Sequence, residues 1–199
     1  MFDVADLEKR VGQLLSQNRF FHTISVKETA QMLANLCAPE CLEEITVAAL
    51  LHDIAKEFSS EQLLSVISEP ISDEILASPA VLHSIAAPYL IKSQFPEYAT
   101  KNVLSATYNH TLGSPDMTVF DEIVFLSDYI EATRPYDSCK LLRNEVFSKM
   151  KEGQGNSNIR ILHSACIKAI DFIVNELEKR KRPVISKMLL TKNALMSKI

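Results

Sequence analysis

The chain has 199 residues, 47% of them apolar, and a formal net charge of −4. That length and composition suit one globular domain able to bury a core, and they exclude disordered and fibrous classes. The acidic balance excludes an unspecific nucleic-acid coat but leaves room for a small anionic ligand in a metal-bearing pocket.

Apolar residues at helical spacing, Val4, Leu7, Val11, Leu14 and Leu15, predict a first helix over 3–16. A second spans 18–37 and stops before Pro39. A third spans 40–56, with Glu40, Glu43 and Glu44 suited to its electropositive start. Ser59 and Ser60 ahead of EQLLSVI are a capping signature for a short fourth helix, and 73–77 reads as one more turn. Pro79 can open the next helix, which runs to Gln94 and carries Pro88, a predicted kink or break. Helices over 97–110 and 117–131 flank the turn Gly113-Ser114-Pro115. The last two long helices are 137–151 and 158–181, with Gly153 and Gly155 between them. The basic, apolar tail from Arg182 is either a packed strap or loose. With few glycines and prolines, no repeat, no hairpin signal and no linker, the fold class is all-α in a single domain, 1–199.

Cys37, Cys41, Cys139 and Cys166 form no C-x-x-C pair. The start, MFDVADLEKR, lacks a basic n-region and an apolar h-region, and no run of about 18 apolar residues occurs. Reduced thiols in a cytoplasmic protein, with no membrane and no nucleic acid as partner, are the expectation. Cys37 and Cys41 are read as a helix end and a helix start rather than as metal ligands.

The informative stretch is AALLHDIAKEF, 48–58. His52 and Asp53 are adjacent, and both are ligand types for a divalent metal. His22, His83, His110 and Asp128 each lie in another apolar, helix-like segment. A lone histidine on such a helix is usually a satisfied core or surface residue, and His163 is read so. A carboxylate inside an apolar helix, as at Asp128, is rare unless it is paired or coordinates a metal. Separate segments that each supply a ligand type predict convergence on one site.

The order His22, His52-Asp53, Asp128 resembles the HD-domain metal-dependent phosphohydrolases. The segments RFFHTISV, AALLHDIAK, VLHSIAA, NHTLG followed by Met117, and FLSDYIEATRPY are similar to the bacterial YqeK-type family, the symmetrical bis(5′-nucleosyl)-tetraphosphatases. The resemblance covers residues 6–195, with the motif core over 18–136 and C-terminal helices and tail over 137–199. Ser25 stands where that family usually has Gly, and Ser127 where it has Ala; both changes predict altered packing rather than lost chemistry. The segment 60–77 and the tail match only loosely.

Hydrolysis of a phosphoanhydride needs charge neutralisation and a good nucleophile, and a metal supplies both. His22, His52, Asp53 and Asp128 would give such a site two imidazoles and two carboxylates, a donor set open to several first-row ions. The resemblance implies iron, as one ion or two. His83 and His110 are read as phosphate donors or a proton donor to the leaving group, with a second metal bridged through Asp53 as the alternative. Lys56, at i+4 from His52 on the predicted helix, could reach phosphate. By resemblance, Arg19, Thr111, Gly113, Arg134 and Tyr136 complete the nucleotide pocket, Arg134 as a planar phosphate clamp. Glu131 is expected to orient a ligand or Arg134 rather than bind metal. Phe20, Phe21, Phe120 and Phe125 are assigned to the core.

The expected activity is cleavage of diadenosine tetraphosphate into two ADP by a metal-activated water. The ligand set alone also permits a nucleotidase, a dNTP or (p)ppGpp hydrolase; NHTLG and DYIEATRPY favour the dinucleotide. A non-catalytic nucleotide-binding module would be expected to have lost ligands, and none is missing here. A homodimer through the apolar helices is left open.

Overall fold

The computed structural model describes residues 2–199, and among these every regular element is helical. The chain begins with α1 (Val4–Leu14) and α2 (Gln17–Cys37), whose starts are capped by the side chains of Asp3 and Ser16. A 3₁₀ turn at Pro39–Cys41 leads into α3 (Leu42–Leu51). Two short helices follow, α4 (Ser60–Val66) and α5 (Asp73–Leu76), then a 3₁₀ turn at Pro79–Val81 and α6 (Leu82–Gln94). A third 3₁₀ turn, Pro96–Tyr98, precedes α7 (Lys101–Asn109). The chain ends with α8 (Val119–Ile130), α9 (Asp137–Glu152), α10 (Asn156–Lys179) and α11 (Ser186–Met196).

The helices are punctuated by side chains that satisfy their free ends. Ser59 with Gln62, and Thr118 with Asp121, make reciprocal capping boxes at the starts of α4 and α8. Each such cap contributes about 1 kcal/mol. At the far end of α8, Arg143 of α9 donates to the carbonyls of Ile130 and Glu131, placing positive charge on that terminus.

The sequence of α3 explains its place. From Ile45 to Leu51 every residue is buried, so this helix is apolar all round and must be enclosed. It is packed by α1, α2, α7 and α8. Around it α6 lies on α7, and α10 joins α8, α9 and α11. One buried apolar cluster runs through the whole, from Leu7 to Leu195.

Several expectations need correction. The third helix does not continue to residue 56: it stops at Leu51, and 52–57 form turns with amides of Ile54 and Lys56 bonding three residues back. Lys56 therefore does not share a helical face with His52. The helix α6 is not broken by Pro88. The ring removes one hydrogen bond, but Leu82, Ile85, Ala86, Leu90 and Ile91 are buried on both sides of it, and that packing holds the helix together. Phe21 is 66% exposed and is not core, whereas Phe120 and Phe125 are. The tail is a strap: α11 packs on α10, and Thr191 bonds the carbonyl of Leu112.

His163, read from sequence as a satisfied core or surface residue, lies in the core, and its partner is Glu122. The carboxylate of Glu122 is fully buried, 2.6 Å from His163 Nδ1 and 3.0 Å from Lys198 Nζ. His163 supports that buried charge alongside Lys198, and a hydrogen bond to a charged group contributes about 1.5–3 kcal/mol. His163→Ala is expected to cost about 1.5–3 kcal/mol, a fall in Tm of about 3–12 °C for a chain of this size. Thermal unfolding followed by circular dichroism measures this, and an unchanged Tm would mean that Lys198 alone satisfies Glu122.

Candidate metal centre

The histidines of the centre are placed by helix ends. His52 follows the last residue of α3, His110 follows the last residue of α7, and His83 is the second residue of α6. In each case Nδ1 lies against the carbonyl three residues earlier: Ala49 at 2.6 Å, Ala80 at 2.8 Å and Thr107 at 2.7 Å. A carbonyl can only accept, so Nδ1 carries the proton in all three rings and Nε2 presents a lone pair inward. His22, within α2, has Nδ1 3.2 Å from Glu131 Oε1, which sets the same tautomer.

The carboxylates lie among these lone pairs. Asp53 is buried, and its two oxygens face different ways. Oδ2 is 3.5 Å from His52 Nε2 and 3.7 Å from His22 Nε2. Oδ1 is 3.2 Å from His83 Nε2 and 3.5 Å from His110 Nε2. Asp128 Oδ1 approaches His22 Nε2 to 3.0 Å and His52 Nε2 to 3.9 Å. Two groups result, His22-His52-Asp128 and Asp53-His83-His110, each compact enough for its ligand atoms to share one ion.

The donor chemistry fits a metal. His22 Nε2 and His52 Nε2 are buried without a hydrogen-bond partner; the 3.0 Å approach to Asp128 lacks the angle for one. Buried nitrogen lone pairs without donors are costly, and a cation satisfies them. Backbone carbonyls and Glu131 supply the outer contacts that orient histidine ligands. Burial lowers the basicity of His22, but Asp128 and Glu131 outweigh it and raise its pKa to about 9, so a metal at Nε2 would compete with a proton. His110 is pulled down to about 4, by burial first and against the opposing Asp53. Asp53 and Asp128 stay well below the usual carboxylate range: burial works against this, but the surrounding imidazoles, and Arg134 beside Asp128, prevail.

Of the remaining predicted residues, Arg19, Arg134, Lys56, Thr111 and Tyr136 border the same place, whereas Gly113 lies against Thr191 of α11. Arg19 Nη1 is 2.8 Å from Asp53 Oδ2, and Arg134 Nη2 is 2.5 Å from Asp128 Oδ1. Lys56 Nζ sits 3.2 Å from His83 Nε2, reached from a turn rather than a helix. Thr111 Oγ1 is 3.3 Å from the same nitrogen. Gly113 has φ +70°, and a Cβ there would meet Thr191 Cγ2 at 2.5 Å, so side chains are excluded twice over. Tyr136 is exposed at the rim. Ser25, in place of the family's Gly, accepts the amide of Ala132 at 3.1 Å and so steadies the turn that carries Glu131. Sequence reasoning missed the tail: Arg182, Ile185 and Met188 line a cavity that reaches Asp128. Their mixed basic and apolar run was the available signal, but nothing local says what it covers.

Comparison with known proteins agrees with this geometry. The chain is 28% identical over 184 residues to a Halalkalibacterium halodurans protein named bis(5′-nucleosyl)-tetraphosphatase, symmetrical, covering 92% of this chain and 91% of that protein. It is 29% identical over 189 residues to a Bacillus subtilis protein of the same name, covering 94% of each. A crystal structure from Clostridium acetobutylicum, titled as a predicted HD superfamily hydrolase involved in NAD metabolism, superposes with TM-score 0.84 over the whole of both chains at 23% identity, which shows a shared fold. The HD domain model matches residues 19–133, a span that opens at Arg19 and takes in every residue of both ligand groups. By that match over more than half its length, the chain belongs to the HD domain family.

Proposed function

We propose that the protein is a metal-dependent phosphoanhydride hydrolase that cuts diadenosine tetraphosphate at its centre, giving two ADP. The observation that carries this is the pair of buried, unpartnered nitrogens, His22 Nε2 and His52 Nε2, facing Asp128 and Asp53. The named activity of the Halalkalibacterium and Bacillus relatives supports the substrate class.

His22, His52 and Asp128 would hold a divalent ion as two imidazoles and a carboxylate, a donor set suited to iron(II), with Asp53 alongside. The second group favours another ion over a direct phosphate contact. His83 Nε2 and His110 Nε2 are 3.0 Å apart, and both rings have their proton on Nδ1, so two lone pairs face one another beside Asp53 Oδ1. Asp53, His83 and His110 would hold such a cation, and it would offset that repulsion. The ions supply Lewis acidity and lower the pKa of a coordinated water.

The chain's own groups do the rest. Arg19 and Arg134 present guanidinium groups beside the ligand carboxylates, where a phosphate chain can be held. Lys56 and Thr111, both next to His83, would meet oxygens of the group being cleaved. Glu131 fixes the ring of His22 and is itself held near pKa 2, where burial is outweighed by bonds from His22, Ser25 and Thr133. It is thus ionised throughout the working range.

Metal analysis of the purified protein and separation of the products test the proposal. Two ADP per diadenosine tetraphosphate are expected; AMP with ATP would sink central cleavage, and phosphate released only from mononucleotides would point to a nucleotidase. Asp53→Ala is expected to lose metal and activity together, and full activity in that variant would reject the site. Glu131→Ala should lower metal affinity about 10–100-fold through misorientation of His22, with helical content unchanged. Titration of the metal-free protein measures it.

A further inference from the structure

Two clefts meet at the proposed centre, and they differ. One is a cavity of about 570 Å³ between α8, α10 and the segment entering α11. It reaches His110 and Asp128 at its inner end, and Phe125, Ile173, Leu177, Ile185 and Met188 are among its walls. The other is a groove of about 420 Å³ that reaches His22 from the start of α2. Ser16, Asn18, Arg19, Glu57 and Thr133 line it. Arg134 and Tyr136 border both. Each volume lies in the range of roughly 300–1,000 Å³ found for small-molecule sites. Lining, not size, separates them.

A substrate cut at the middle of its phosphate chain carries a nucleoside at equal distance on either side. A purine face gains from leaving water for an apolar and aromatic wall, and gains little from a hydrated polar groove. Resting on the function proposed above, we propose that the two half-sites are unlike. The apolar cleft encloses one nucleoside and sets which phosphorus reaches the centre. The polar groove receives the other half through its phosphates, at Arg19 and Arg134, and makes no use of the second base.

The second nucleoside is then dispensable, and nucleoside 5′-tetraphosphates are a further substrate class. With the nucleoside seated, the bond between the second phosphorus and the oxygen bridging to the third breaks. Water supplies the oxygen that joins the second phosphorus, the bridging oxygen leaves with the third and fourth phosphates, and one proton is released. The products are a nucleoside diphosphate and pyrophosphate.

The test compares adenosine 5′-tetraphosphate with diadenosine tetraphosphate on the metal-loaded enzyme. The single nucleotide is expected to give ADP and pyrophosphate, with kcat/KM within about tenfold of the dinucleotide. Leu177→Trp, which fills the apolar cleft from a half-buried position on α10, should raise KM at least about tenfold for both substrates. Its melting temperature and metal content should be unchanged. An inert adenosine 5′-tetraphosphate beside a rapidly cut dinucleotide would overturn the unlike half-sites and leave the proposed function standing. So would ATP and phosphate as products, or a Leu177→Trp variant that cuts both substrates as well as the unaltered enzyme. Failure to cut either substrate would remove the proposed function, and this inference with it.

Discussion

A carboxylate buried in a helical core is the constraint on which the rest depends. Asp53 is nearly inaccessible, and its charge has to be met by groups packed with it. Arg19 meets one oxygen directly, and four imidazole nitrogens surround the carboxylate, His22 and His52 toward Oδ2 and His83 and His110 toward Oδ1. Those rings cannot all be donors, because three of them have spent their one proton on backbone carbonyls. The cluster is therefore rich in lone pairs and poor in protons, which is the electrostatic condition for binding cations.

Helix ends make this arrangement possible. Inside a helix the carbonyl three residues back is engaged by the ladder, but at a terminus it is free to accept from a side chain. His52 and His110 use the ends of α3 and α7 in this way, and His83 uses the carbonyl of a 3₁₀ turn. The early stop of α3 belongs to the same design. It frees Asp53 from the helical spiral and lets it turn both oxygens into the site.

The surroundings divide into a rigid and an adaptable part. The ligand-bearing helices are locked by the enclosed α3 and by Arg143 across the end of α8. The clefts on either side take part of their lining from less regular material, the turn before α6, the 131–136 segment and the strap leading into α11. On the proposed function, chemistry would sit on the first and part of recognition on the second, as expected where binding loops are mounted on a stiff scaffold.

The all-α class, most helix positions and the convergence of His22, His52, Asp53, His83, His110 and Asp128 were legible in the sequence. Periodicity is local, and charged or imidazole groups in apolar runs have few alternatives to meeting one another. The orienting part of Glu131 was legible too, from its spacing to Asp128. What the sequence could not decide depends on contacts between distant segments. The pairing of Glu122 with His163 and Lys198, the exposure of Phe21, the continuity of α6 through Pro88 and the approach of Lys56 to His83 all follow from neighbours far away in the chain. The folding of the tail onto α10, which makes one cleft apolar and leaves the other polar, is of the same kind. Apolar residues in a segment specify that it must cover something; only tertiary packing specifies what, because burial is a property of the assembled core.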